Sequence, residues 1–150
     1  MAIDFLIYKR FFLRPKIMKN KKLLYIVDAH DTYTYTVSKM MEKCIADTNI
    51  EIEIYDEGES ALDLLLSTIQ SGITPSIIML DLDMPIMDSW EFLDATEKLD
   101  SEGMPIIFIS SSTINPDEIS RTEDHPLVGG FISKPISKER IQEVCSLLKQ

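Results

Sequence analysis

Five side chains stand where they could do chemistry together: Asp28, Asp81, Asp83, Ser110 and Lys134. Carboxylates from two chain segments can hold Mg²⁺, which prefers oxygen ligands and keeps several waters that a phosphate can replace. The hydroxyl of Ser110, first of the run Ser110 to Thr113, and the ammonium of Lys134 could bind phosphoryl oxygens. Asp81 would then be the in-line nucleophile. Each residue alone has a plainer explanation, because Asp and Ser often end strands as turn formers or helix caps. The chemistry requires a fold that brings all of them to one edge.

The apolar pattern predicts such a fold. Leu23 to Val27 is a short apolar run ending at Asp28, and Val37, Met40, Met41, Cys44 and Ile45 then share one helical face. Ile50, Ile52 and Ile54 alternate with Glu51 and Glu53, as in a strand near a sheet edge. Leu62, Leu65, Leu66 and Ile69 form the next helical face, stopped by Gly72 and Pro75. The uniformly apolar Ile77 to Leu80 reads as a central parallel strand. A helix with Trp90 and Leu93 follows, then a strand over Ile106 to Ile109, a short helix over Pro116 to Arg121, a strand over Gly129 to Ile132, and a closing helix with Ile141, Val144, Cys145 and Leu148. Strands alternating with helices predict an α/β fold, a five-stranded parallel sheet doubly wound as (βα)5. In such sheets ligands bind beyond the carboxyl ends of the strands, where the five residues stand.

Composition narrows the function. At 150 residues, 45% hydrophobic and 27% charged, the chain fits one globular domain. No apolar stretch approaches the roughly 20 residues of a membrane span, and two cysteines make neither a disulfide framework nor a four-cysteine zinc site. A cytoplasmic location is expected, with Cys44 and Cys145 as small buried hydrophobes, His30 and His125 as ordinary loop histidines, and Trp90 as a core or helix-contact residue. The net charge of −10 is uneven: up to Lys22 there are seven bases against one acid, which leaves eight bases and 24 acids for the remainder. So acidic a body would repel nucleic acid. Residues 1–21 read as a basic extension with three explanations: a natural start at Met18, a basic arm that touches a partner or membrane surface, or a helix packed on the body.

Three segments bring a family into view. Ile77-Ile78-Met79-Leu80-Asp81-Leu82-Asp83-Met84-Pro85-Ile86-Met87-Asp88 resembles the phosphoacceptor strand and loop of receiver domains from two-component response regulators. Ile109-Ser110-Ser111 resembles their hydroxyl-bearing fourth strand end, and Phe131-Ile132-Ser133-Lys134-Pro135 their aromatic-x-x-Lys-Pro signature. The likeness runs unbroken over residues 22–150, and with no effector segment after Gln150 the chain resembles a stand-alone, chemotaxis-type receiver with a flavodoxin-like fold. It implies a phosphoryl group passed to Asp81 from a sensor histidine kinase or a histidine phosphotransfer protein. Asp28, Asp81 and the main-chain carbonyl of Asp83 would surround Mg²⁺. Lys134 would pair with the acyl phosphate, aimed by a cis peptide before Pro135, while Ser110 and Phe131 would switch a face made by the fourth helix, fifth strand and fifth helix. A downstream protein target would read that face.

Two departures stand against the pattern. The family's two adjacent acids after the first strand are here Asp28-Ala29, so a methyl group replaces a metal ligand and Mg²⁺ affinity should fall. Asp31 or the Asp83 side chain could substitute, whereas His30 is a poor ligand for so hard an ion. The usual Asp-Gly after the phosphoacceptor loop is Asp88-Ser89, which could alter the turn or cap the next helix. Two rivals follow: a pseudo-receiver that binds a partner without phosphorylation, and an aspartyl-nucleophile phosphatase of the haloacid dehalogenase type. The second is disfavoured because its Asp-x-Asp follows the first strand, and because the only acids after Lys134 are Glu139 and Glu143 in the last helix.

Overall fold

A computed structural model describes residues 22–71, 74–99 and 104–150. The expectations placed on residues 1–21 and on Gly72 lie outside these. Strands and helices alternate as β1 (Lys22–Val27), α1 (Asp31–Cys44), β2 (Ile50–Tyr55), α2 (Gly58–Ser71), β3 (Ile77–Asp81), α3 (Ser89–Glu97), β4 (Ile106–Ser111), α4 (Pro116–Asp124), β5 (Val128–Ser133) and α5 (Lys138–Lys149). The strands form one parallel sheet in the order β2-β1-β3-β4-β5. This is the five-stranded, doubly wound α/β fold that the periodicities predict.

Alternation along the strands divides the core. Leu23, Tyr25 and Val27 of β1, Ile78 and Leu80 of β3, and Ile107 and Ile109 of β4 pack with Ala61, Leu62 and Leu65 of α2 and Phe92 and Leu93 of α3. The intervening Leu24, Ile26, Ile77, Met79 and Phe108 pack on the other face with Val37 and Met41 of α1 and Ile141, Val144 and Leu148 of α5. Every residue of β3 is buried, as a run without polar alternation requires. The alternating β2 lies at an edge, with Ile54 exposed.

Local chemistry fixes the helix starts. Asp88 accepts from the Glu91 amide at the head of α3, and Asn115 accepts from Asp117 with Pro116 opening α4. Ser137 caps α5 through the Arg140 amide. The Asp88-Ser89 departure thus keeps a normal cap. Ser89, fully buried, instead donates to the Leu82 carbonyl at 3.0 Å and ties α3 to the end of β3. One expectation is corrected. Cys44 at the end of α1 and Cys145 in α5 are joined as a disulfide rather than standing as separate buried thiols, with Cα atoms 6.4 Å apart. Two facing helix surfaces, 101 residues apart in the chain, bring the sulfurs together.

Candidate functional site

The strand order reverses between β1 and β3, where the chain leaves β1 first toward β2 and later toward β3. A crevice opens at the carboxyl ends of strands at such a point. Register determines what stands in it. Val27 pairs with Leu80, so Asp28 lies beside Asp81, and Asp81 pairs with Ser110 across β3 and β4. Asp28, Asp81 and Ser110 are each at most 3% exposed. The Lys134 amide donates to the Ser111 carbonyl at 2.9 Å, and the Lys134–Pro135 peptide is cis.

The Lys134 side chain reaches into the crevice, its Nζ 2.5 Å from Asp28 Oδ2 and 3.0 Å from Asp81 Oδ1. A buried carboxylate pair is costly without such a counter-charge. The ammonium compensates only one side. Asp81 Oδ2 is buried and has no hydrogen-bond partner. Burial first, then the neighbouring charge of Asp28, raise the Asp81 carboxyl above its ordinary value, while Lys134 and the Asp83 amide pull the other way.

Two aromatic groups line the same crevice, Tyr33, which the sequence reading did not name, and His30, which it set aside as a loop residue. Tyr33, in the first turn of α1, lies with its ring centroid 4.4 Å from Lys134 Nζ, a cation–π contact. Burial, with the Asp28 and Asp81 charges added, pushes its phenol up to about 12, and Ser110 opposes the shift. His30, expected as an ordinary loop residue, stands at the site: its amide donates to Asp28 Oδ1 at 2.8 Å, and its Nδ1 lies 2.9 Å from Asp28 Oδ1 and 3.9 Å from Asp81 Oδ2. The spacing Asp28-x-His30 is the only sequence signal that could have suggested it.

Asp28, His30 and Asp81 therefore form a group with ligand atoms within 4.8 Å of one another. Asp31 and the Asp83 side chain, the substitutes expected for the acid missing at Ala29, are exposed and outside it. Phe131 sits in edge strand β5, half-buried against the core beside β4, with Ile109 as its register partner. Its carbonyl accepts from Arg140 Nη2 at 2.6 Å, linking β5 to α5. His125 lies at the end of α4, accepting from the Leu127 amide through Nδ1, and belongs to no part of this crevice.

The response regulator receiver domain profile matches residues 24–146. The chain belongs to this family. Among solved structures, the receiver is similar to a two-component response regulator from Cytophaga hutchinsonii, at 20% identity and TM-score 0.74, over 88% of this chain and 100% of that one. It is also similar to the signal receiver domain of a DNA-binding response regulator protein from Colwellia psychrerythraea 34H, at 19% identity and TM-score 0.72, over 87% and 100%. A third similar structure is the receiver domain of a LuxO-type repressor protein from Vibrio parahaemolyticus, at 19% identity and TM-score 0.67, over 86% and 91%. At these identities the likeness establishes the fold alone. No curated protein sequence matches the chain.

Receiver domains typically bind Mg²⁺ in an acidic pocket, and this receiver's residues fit a divalent cation. The buried Asp81 Oδ2, which Lys134 does not reach, offers an acceptor to a cation or another donor in the crevice. Among the described residues, no helix is long and apolar enough to cross a membrane.

Proposed function

We propose that this receiver accepts a phosphoryl group on Asp81 from the phosphohistidine of a sensor kinase or a histidine phosphotransfer protein. The observation that carries the reading is the buried Asp81 carboxylate, held through Oδ1 by Lys134 and unbonded at Oδ2, with Ser110 as its neighbour across the sheet. In the transfer an Asp81 oxygen forms the new O–P bond as the N–P bond of the donor breaks, and the electron pair returns to the donor imidazole. A cation bound at Asp28 and Asp81 would neutralise the phosphoryl oxygens. Lys134 pairs with the acyl phosphate and Ser110 donates its hydroxyl to a phosphoryl oxygen. Burial of Asp81 keeps bulk water from the acyl phosphate.

The readout is a surface. Ser110 moving toward the phosphate frees space beside β5, and Phe131 rotates inward to fill it. The change reaches the face of α4, β5 and α5. Two features support that face as the partner surface: α4 buries only Thr122, and β5 is an edge strand. The receiver unit spans residues 22–150, and residues 1–21 are a basic extension that is either an accessory arm or the product of a start site upstream of Met18.

Two observations favour a second reading, a protein-binding module that does not switch. Ala29 removes a metal ligand, and Lys134 already bridges Asp28 and Asp81. Incubation with acetyl phosphate and Mg²⁺, followed by intact mass measurement, separates the two. A gain of one phosphoryl group, absent in Asp81→Asn, is expected. No gain under conditions that label Ala29→Asp would leave the non-switching module.

A further inference from the structure

The carboxylate pair has two sides, and only one is spoken for. Lys134 takes Asp28 Oδ2 and Asp81 Oδ1. The opposite oxygens, Asp28 Oδ1 and Asp81 Oδ2, face the imidazole of His30. Asp81 Oδ2 is buried and unpartnered. We propose that Asp28 Oδ1, Asp81 Oδ2 and His30 Nδ1 form a mixed imidazole–carboxylate centre that selects a borderline first-row transition ion of the Zn²⁺ class over Mg²⁺. The proposal deepens the phosphoacceptor reading of the same site by naming its ion.

Ligand chemistry supplies the selectivity. Mg²⁺ calls for oxygen donors in near-octahedral array, whereas imidazole suits Zn²⁺, Ni²⁺ and Co²⁺. Here the hard donor expected beside Asp28 is the methyl group of Ala29, and neither Asp31 nor the Asp83 side chain replaces it. A nitrogen stands nearest instead. The spacing admits an ion between these donors, and the selectivity rests on the nitrogen. Two donors about 2.1 Å from one ion stand about 3.0 Å apart at right angles and about 3.4 Å apart in a tetrahedron. The 2.9 Å from Nδ1 to Asp28 Oδ1 matches the first, and a modest ring rotation brings the 3.9 Å to Asp81 Oδ2 into range. His30 can make that rotation because its side chain is 68% exposed, which also leaves the ion a path in.

The 2.9 Å contact is a hydrogen bond while Nδ1 carries the proton. With an ion bound, Nδ1 donates its lone pair to the metal and the ring proton resides on Nε2, so the ring stays neutral. The His30 amide, donating to Asp28 Oδ1, orients that carboxylate in both states. Three protein ligands leave an open position for water or a phosphoryl oxygen.

Calorimetric titration of the full chain with ZnCl₂ and with MgCl₂, in wild type, His30→Ala and His125→Ala, tests the assignment. One Zn²⁺ is expected to bind at least about 100-fold more tightly than Mg²⁺. His30→Ala should lose about tenfold or more of the Zn²⁺ affinity, at least what removal of an outer partner of a ligand costs, and a smaller factor of the Mg²⁺ affinity, so that the preference for Zn²⁺ falls. His125→Ala should match wild type. Co²⁺ should give a visible d–d band in wild type that His30→Ala shifts or loses. Equal Zn²⁺ isotherms for wild type and His30→Ala, or a loss confined to His125→Ala, would overturn the proposal. The acetyl phosphate assay is read on wild type in Mg²⁺, separately from the comparison of His30 variants. Labelled wild type with equal isotherms therefore sinks the ion assignment alone, and unlabelled wild type with His30-dependent Zn²⁺ binding supports the ion while sinking the phosphoacceptor.

Discussion

Asp81 shows how a single carboxyl carries opposing demands. Burial and the charge of Asp28 raise its value in the folded chain above that of the unfolded chain. A raised group contributes its stability below the unfolded value and loses it as pH rises through the folded one. At pH 7 the ionised Asp81 therefore weakens the fold, and Asp81→Asn should raise the urea midpoint at pH 7, with the gain shrinking as pH falls toward about 4, the ordinary Asp value. Urea unfolding of both proteins at pH 7 and pH 4.5 checks this, and a gain that grows on acidification contradicts it. A second residue-scale strain lies nearby. Ile86, in the loop after β3, adopts φ 71° and is 74% exposed. A β-branched residue in the left-handed region is disfavoured, while Asn tolerates it. Ile86→Asn should stabilise by about 1 kcal/mol in chemical denaturation.

At the scale of elements, the loop between β3 and α3 is held from both ends. Asp88 caps α3, Ser89 ties its first turn to the Leu82 carbonyl, and Gly58 at the head of α2 lets that loop come close. A Cβ on Gly58 would stand 3.0 Å from the Met87 carbonyl oxygen and 3.2 Å from Met84 Cε. Asp88→Ala should cost about 1 kcal/mol of unfolding free energy through the lost cap, measurable in urea, with little change in the sheet by far-ultraviolet circular dichroism. Much of this scale was legible. The apolar run Ile77 to Leu80, the alternation Ile50-Ile52-Ile54 and the Asp88 cap signal place β3, β2 and α3 where they are observed. The short helix expected over Pro116 to Arg121 runs on to Asp124, because Asn115 and Pro116 mark its start sharply but nothing apolar marks its end. His30 and Tyr33 were not legible as site residues. Whether an imidazole two residues past Asp28, or a phenol on the first turn of α1, turns toward the crevice depends on the backbone path out of β1 and on what packs across it.

Across the whole molecule, two hydrophobic layers share one sheet, and each strand's contribution follows its place in it. Leu80, wholly buried in central β3 between α2, α3 and the neighbouring strands, should cost about 2 to 5 kcal/mol as Leu80→Ala. Ile54, 47% exposed on edge strand β2, should cost under about 1 kcal/mol as Ile54→Ala. Urea unfolding of the two variants checks the ranking, and similar losses would show that the sheet edge bears more of the stability than its burial indicates. The −10 charge also acquires a location. Part of it is the buried pair Asp28 and Asp81, which the fold tolerates through Lys134 on one side and leaves open on the other.

The amino-acid sequence by itself determined the alternation of strands and helices, the five-stranded parallel sheet and the acids and hydroxyl at the strand ends, because apolar periodicity is a local property and strand ends lie where it stops. The motifs around Asp81, Ser110 and Lys134 pointed to the receiver family for the same reason: they are contiguous in the chain. Only the tertiary structure decided which oxygen of each carboxylate Lys134 takes, that Tyr33 and His30 enter the crevice, and that Cys44 and Cys145 meet. Those outcomes depend on contacts between segments as far as 106 residues apart and on side-chain directions set by packing, which no local pattern encodes.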